Sequence, residues 1–313
     1  MVKLYQNFDI KKNDKGSIIL IGNFDGVHLG HQKVFKKTKA IAKNKKIKFG
    51  VMTFTPLPTM FFNKKVKNHR LANESQKLKL FKKNNIDFVI NVPFNKNFFK
   101  ISAENFIKKI IYKKLQVKFL VVSNNFKFGR NRKGDINLLK NFSKSCGYNL
   151  LNVEPLNYLN KSVSSTKIRN HLKNGNVNLA NKLLSRTWSI QGTVIKGKKI
   201  GRKLGYRTCN IKIKNYILPK MGIYAVKVSL GAKKRTYDGV AYLGTRPTFK
   251  GKNIILETNI FGVKKSLYKK KIRVYFVKFL RKDKKFNNPN QLIRQMNKDV
   301  ISAKKGLNIN LRP

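Results

Sequence analysis

Short, largely apolar runs punctuate the first half of the chain at Ser17–Ile21, Ile47–Thr53, Phe88–Val92 and Phe119–Val122. Each is too brief for a helix and rich in Ile, Val and Phe, so each predicts a buried strand. Between them, Phe35–Ala42, Glu74–Phe81 and Ala103–Leu115 carry apolar residues three and four apart, the spacing of amphipathic helices. Strand and helix alternate, which predicts a parallel sheet covered on both faces, an α/β domain of the nucleotide-binding, Rossmann-like type.

From Trp188 the pattern changes. Glycine, β-branched and aromatic residues dominate short runs at Trp188–Ile195, Gly222–Ser229, Tyr237–Leu243, Ile254–Ile260 and Ile272–Phe279. Such turn-punctuated runs predict a small antiparallel β-barrel. The segment Pro289–Ala303 begins with proline and puts Leu292, Ile293, Met296 and Val300 on one face, so it predicts a helix packed on that barrel. A helical pattern at Val177–Leu184 precedes the change, which divides the chain into residues 1–185 and 186–313.

The 313 residues, 41% of them hydrophobic, suffice for two cores. Lys and Arg total 71 against 12 Asp and Glu, a formal charge of +59. A balance that basic admits a nucleic-acid-binding protein as a rival reading. The basic residues, however, are spread evenly, without tail or stripe, and keep company with many Asn, Ile and Phe, the residues of A/T-rich codons. The charge therefore implies non-specific polyanion binding at low salt rather than a specific nucleic-acid partner. Cys146 and Cys209 form no CxxC pair and imply neither disulfide framework nor zinc site. No stretch approaches the roughly 18 apolar residues of a membrane helix, and Met1–Lys15 lacks the apolar core of a signal peptide. These features predict a cytoplasmic protein with no membrane partner.

Directly after the first strand the chain reads Gly22-Asn23-Phe24-Asp25-Gly26-Val27-His28-Leu29-Gly30-His31 and opens into a helix. A glycine-flanked turn lets backbone approach a phosphate, and a helix N-terminus offers free N–H groups and a positive dipole end. Two imidazoles one helical turn apart can reach the same anion and stabilise charge during phosphate transfer. A second anion-binding pattern is Ser164-Ser165-Thr166-Lys167-Ile168-Arg169, where hydroxyls, backbone N–H groups and cations precede a helix; an ordinary capped helix is the competing reading. In the barrel half, Gly197, Gly201 and Gly205 bracket a loop that leads to Thr208 and Asn210. These two neutral oxygens lie on one face of an extended segment and suit Mg²⁺ held jointly with ATP phosphates, although a plain hairpin accounts for the glycines equally well.

Together, the HxGH and SSTKIR segments resemble the nucleotidyltransferase superfamily, and in particular its prokaryotic bifunctional riboflavin kinase and FAD synthetase family. Thr53-Phe54-Thr55-Pro56-Leu57-Pro58 is similar to that family's TFxPHP, and Asn125-Phe126-Lys127-Phe128-Gly129 to its (D/N)FxFG. Gly201 to Asn210 resembles its GxxLGxPTAN, with Arg207 and Cys209 in place of Pro and Ala. Thr245-Arg246-Pro247-Thr248-Phe249 is similar to its PTF segment. The resemblance implies two ATP-dependent reactions, phosphorylation of riboflavin to FMN and adenylylation of FMN to FAD with release of pyrophosphate. It implies that His28 and His31 bind ATP phosphates with the Gly22–Gly30 turn, that Asn125 lies in the nucleotide or flavin site, and that Ser165, Thr166 and Arg169 close around the triphosphate. For the kinase it implies Thr208 and Asn210 at the metal nucleotide, Glu257 as general base, and Arg281 among the positions shaping the flavin side, with Lys269 where glycine is usual. The substitutions at 207, 209 and 269 leave an FAD synthetase with a decayed kinase module as the alternative.

Overall fold

A computed structural model describes residues 2–66, 68–154, 156–158, 161–197, 201, 204–231, 235–245 and 254–308. The chain divides into two compact units, Met1–Lys67 with Glu74–Ser164, and Asn68–Asn73 with Ser165–Pro313.

The first unit is built on a six-stranded sheet of β1 (Lys3–Tyr5), β2 (Ile18–Ile21), β3 (Phe49–Thr55), β4 (Phe88–Pro93), β5 (Phe119–Ser123) and β6 (Asn149–Val153), in the order β1-β4-β3-β2-β5-β6. Every ladder is parallel. Alternate residues feed two separate cores: Ile19 and Ile21 join one with Met52 and Ile107, while Ile18 and Leu20 join the other with Phe35 and Phe81. The sheet is thus buried on both faces, as the apolar runs predict. Strand order reverses between β2 and β5, because β3 and β4 extend to one side and β5 and β6 to the other. In open α/β sheets, ligands gather at the carboxyl ends of strands at such a reversal.

The structure adds the edge strands β1 and β6 and the helix Ile136–Ser143 to the sequence reading. It also changes the helix expected at Ala103–Leu115: one turn, Ala103–Asn105, passes into a π-helix, Phe106–Lys114. The buried positions Phe106, Ile107, Ile110, Ile111 and Leu115 recur four or five apart, a spacing that i→i+5 bonding holds on one face.

A short antiparallel ladder, β7 (Asn157–Tyr158) with β8 (Lys161–Ser162), ends the first unit. The second unit is a closed barrel of β9 (Ser189–Ile195), β10 (Thr208–Ile211), β11 (Gly222–Leu230), β12 (Thr236–Gly244), β13 (Ile255–Ile260) and β14 (Lys271–Arg281), in the order β10-β13-β12-β11-β14-β9. The antiparallel pairing of Asn210 with Ile195 closes it. Trp188, Tyr224 and Phe276 fill its core. The helix Pro289–Gly306 follows, with proline in its first turn and Asn288 capping the Gln291 N–H. Helices Ser165–Lys173 and Val177–Leu184 belong to this unit, as does the excursion Asn68–Asn73: the Leu71 carbonyl accepts from Trp188 Nε1 at 2.8 Å.

Candidate active sites

In the first unit the turn after β2 is held in an unusual backbone conformation. Phe24, Gly26 and Val27 have φ of 46°, 79° and 42°. A β-branched residue in the left-handed region is strained, and Val27 is fixed there by complete burial, by its N–H to the Phe24 carbonyl, and by Gln32 Nε2 donating to its own carbonyl. This turn delivers His28 to the N-cap of α1 (Leu29–Asn44), where its Nδ1 accepts from the His31 N–H at 3.4 Å. The rings of His28 and His31 stack, centroids 3.6 Å apart and 20° from parallel. Gly30 makes room for this pair, since a Cβ there would lie 3.2 Å from the His28 ring.

His31 Nδ1 is buried without a hydrogen-bond partner. Burial, then the charges of His28 and Lys77, hold the His31 imidazole well below its ordinary value of 6.5, so it is neutral at pH 7. Lys77 is the residue that sequence reasoning missed. It lies on the helix Glu74–Lys83, only 7% exposed, and its Nζ donates to the Asn23 carbonyl at 2.8 Å and to Thr53 Oγ1 at 2.6 Å. One signal was present: Thr53 begins the TFTPLP segment, so a partner for its hydroxyl was to be expected. Asp25 is buried in the same turn. Leu57, where the resemblance expects histidine, is buried ahead of the helix Pro58–Phe62. Asn125 lies past the end of β5, beside β2, and its Oδ1 accepts from Ser123 Oγ at 3.1 Å. Hence Asn125 and the Gly22–His31 turn both leave the strand ends that flank the reversal in the sheet.

Ser165 and Thr166 form the first turn of the helix Ser165–Lys173, in the second unit. Arg169, further along it, is 9% exposed and donates from Nε to the His69 carbonyl at 2.8 Å.

The barrel carries two cavities, of about 160 and 210 Å³, that share two lining residues, Thr208 and Glu257. The smaller is mainly apolar, with Leu204, Ile223, Val240, Tyr242 and Phe286 in its wall. The larger is lined by Gly197, Asn210 and the cations Arg207, Lys264 and Lys265. Antiparallel register sets Glu257 opposite Asn210, and Thr208 Oγ1 donates to Glu257 Oε1 at 2.5 Å. Thr208 and Asn210 therefore do share one face of an extended strand.

The glycines have separate reasons. A Cβ on Gly197 would lie 1.7 Å from Asn210 Nδ2, so the amide rests directly on the glycine backbone. Gly201 faces Thr208 Oγ1 and the Tyr206 carbonyl in the same way, while Gly205 has φ +84°. Arg207 donates from Nη1 to the Lys264 carbonyl at 2.7 Å and accepts at its own carbonyl from Asn259 Nδ2 at 2.8 Å. A tether thus stands where the family's proline fixes φ. Cys209 donates to the Thr258 carbonyl, and burial, aided by the Glu257 charge, pushes its thiol up to about 12. Lys269 takes φ 62°, the region that favours the glycine expected there. Arg281 is fully engaged: Nε and Nη2 bond Asp299 at 2.7 and 2.6 Å, and Nη1 bonds the Lys282 carbonyl. Of the PTF segment, Arg246–Phe249 lies outside the described residues.

Among the described residues no cluster of three His, Cys, Asp or Glu side chains is arranged to hold a metal, and no helix is long and apolar enough to cross a membrane. A family model described as FAD synthetase matches residues 10–167, and one described as riboflavin kinase matches residues 184–307. The chain is similar to the bifunctional riboflavin kinase/FMN adenylyltransferase of Buchnera aphidicola subsp. Schizaphis graminum, 39% identical over 96% of this chain and 97% of that one. It is also similar to the protein of the same description from Escherichia coli K12, 33% identical over 93% and 92% of the two chains. A crystal structure described as a macrolide-efflux protein from Streptococcus pneumoniae matches with TM-score 0.82 and 27% identity, covering 95% of this chain and 97% of that one.

Proposed function

We propose, from the premise that this chain belongs to the bifunctional riboflavin kinase/FMN adenylyltransferase family, that it phosphorylates riboflavin to FMN and adenylylates FMN to FAD, each at its own site. Adenylylation is assigned to residues 1–185 and phosphorylation to residues 186–313, a reading supported by the family models that match residues 10–167 and 184–307.

The observation that carries the kinase assignment is the wall shared by the two cavities. An apolar chamber suits the flavin ring, and a chamber lined with cations suits a nucleotide polyphosphate. A carboxylate reaching both is where a hydroxyl of one substrate would meet the γ-phosphorus of the other. Glu257 accepts the proton of the ribityl 5′-hydroxyl, that oxygen bonds the γ-phosphorus, and ADP leaves. Thr208 orients Glu257 by its hydrogen bond. Oxygens of Thr208 and Asn210 in one cavity wall are hard donors that fit Mg²⁺ shared with the ATP phosphates. Mg²⁺ bound there would neutralise charge building on the polyphosphate. Arg281 serves the site indirectly, by pinning the helix Pro289–Gly306 through Asp299.

For adenylylation, an FMN phosphate oxygen bonds the α-phosphorus of ATP and pyrophosphate leaves. The stacked imidazoles of His28 and His31, with the turn Gly22, Asn23, Phe24, Asp25, Gly26 and Gly30, hold the polyphosphate. Asn125 is assigned to the nucleotide or flavin side. A decayed kinase is not favoured: Arg207 turns to the Lys264 carbonyl, and Thr208 and Asn210 still line the cavity. Two free cysteines, one buried and neither in a disulfide, fit the reducing cytoplasm.

Incubating the chain with riboflavin, ATP and Mg²⁺ and separating the flavins tests both halves. FMN appearing first and FAD after it is expected. Unchanged riboflavin, together with supplied FMN that yields no FAD, would overturn the assignment.

A further inference from the structure

Among the described residues Lys77 is the only buried lysine. A buried ammonium is costly unless its donors are satisfied. Here two of its acceptors are neutral backbone and hydroxyl oxygens, Asn23 O and Thr53 Oγ1, and the same hydroxyl lies 3.2 Å from the same carbonyl. Three elements therefore meet at one point: the end of β2, β3 near its end, and the helix Glu74–Lys83.

What this junction holds is Asn23, the residue just before the left-handed Phe24, Gly26 and Val27. Any shift of the Asn23 carbonyl is passed along that fixed turn to the N-cap imidazole and to the ring stacked on it. The ammonium also lies over the buried Phe81 ring, whose centroid is 5.8 Å from Nζ, so it approaches from inside, while Asn23 is exposed on the outer side. A neutral donor would satisfy the carbonyl equally well. A cation adds a fixed positive charge beneath a turn that already gathers anions by its N–H groups and helix end. That charge also adds to the burial and to the His28 charge that keep His31 neutral.

We propose that Lys77 is a positioning residue for adenylyl transfer, its ammonium locking the Gly22–Asn23 turn so that the imidazoles of His28 and His31 are set against the polyphosphate. This rests on the assignment of adenylylation to the first unit. The test measures FAD formation from FMN and Mg·ATP, and FMN formation from riboflavin, on the same full-length preparations. Lys77→Met should lower kcat for FAD formation about 10²-fold, the scale of a misplaced catalytic group, with the KM for FMN nearly unchanged. Lys77→Arg should recover part of the loss, and Thr53→Val, which removes one acceptor and keeps the shape, should cost about tenfold. Riboflavin phosphorylation should be untouched in all three.

A kcat for FAD formation within about twofold of the parent in both Lys77→Met and Thr53→Val would overturn the proposal. So would a loss in Lys77→Met shared equally by the kinase reaction, because Lys77 would then merely support folding. Failure of the underlying assignment looks different: the parent chain itself would make no FAD.

Discussion

Thr208 Oγ1 and Glu257 Oε1 lie 2.5 Å apart across the β10–β13 ladder, and this pair is the partition between the apolar and the cation-lined cavity of the barrel. A hydroxyl that donates to a carboxylate directs the carboxylate's remaining oxygen, so the base is aimed before either substrate arrives.

Replacing that carboxylate tests the partition. Glu257→Gln keeps the size and an acceptor for Thr208 but removes the base, and FMN formation should fall by about 10²- to 10⁴-fold. FAD formation from supplied FMN should be unchanged. Flavins separated from parallel reactions give both readings, and an undiminished kinase would remove Glu257 from its role.

A methyl group placed at residue 197 should act on the nucleotide rather than on the flavin. The Cβ of Gly197→Ala would lie 1.7 Å from Asn210 Nδ2, and the amide must give way. The KM for Mg·ATP in the kinase reaction should rise about tenfold or more, as when a metal ligand loses its support. The KM for riboflavin should change little, which steady-state kinetics with each substrate varied in turn would reveal.

Acid should weaken the first unit through His31. Its folded imidazole titrates well below 6.5, chiefly from burial and then from the His28 and Lys77 charges, so the unfolded chain takes up a proton that the folded chain refuses. The stability from this group is complete above about pH 6.5 and is lost below it, at up to about 1.4 kcal/mol per pH unit. Denaturant unfolding at pH 7.5 and 5.5 should show a smaller acid loss in His31→Gln than in the parent; equal losses would exclude His31 as the source.

The ion pair under the last helix should be structural in its effect. Arg281 and Asp299 make two parallel hydrogen bonds with side chains only 19% and 8% exposed. Removing one partner leaves the other buried, and Arg281→Met should cost about 3 kcal/mol, the lower end for a broken buried pair because the arginine keeps some solvent. Thermal unfolding checks the size. The KM for riboflavin should rise in the same variant, since Arg281 and Asp299 line the apolar cavity.

Much of this architecture was legible in the sequence because it is written locally. The runs that became β2, β3, β4 and β5 are apolar on both faces, and both faces are indeed covered. β1 and β6 escaped because edge strands such as Lys3–Tyr5 and Asn149–Val153 are part polar, and β10 is short enough to pass for a loop. The imidazole pair was visible because four residues of one turn carry it. Lys77 was not, since among 71 basic residues a lysine on an amphipathic helix looks solvated, and only the distant Asn23 and Thr53 give it a different role. The contact of Asn210 with Gly197 depends likewise on β9 closing on β10, which no local pattern announces.

The excursion of Asn68–Asn73 has a practical meaning for anyone wishing to prepare the kinase portion by itself. A fragment starting at residue 186 would retain Trp188 and discard Leu71, stranding a deeply interior indole N–H whose acceptor is 117 positions upstream. Such a loss costs about 1–3 kcal/mol, enough to matter in a barrel of this size. An excised catalytic barrel would therefore be best made with a grafted copy of that six-residue strap.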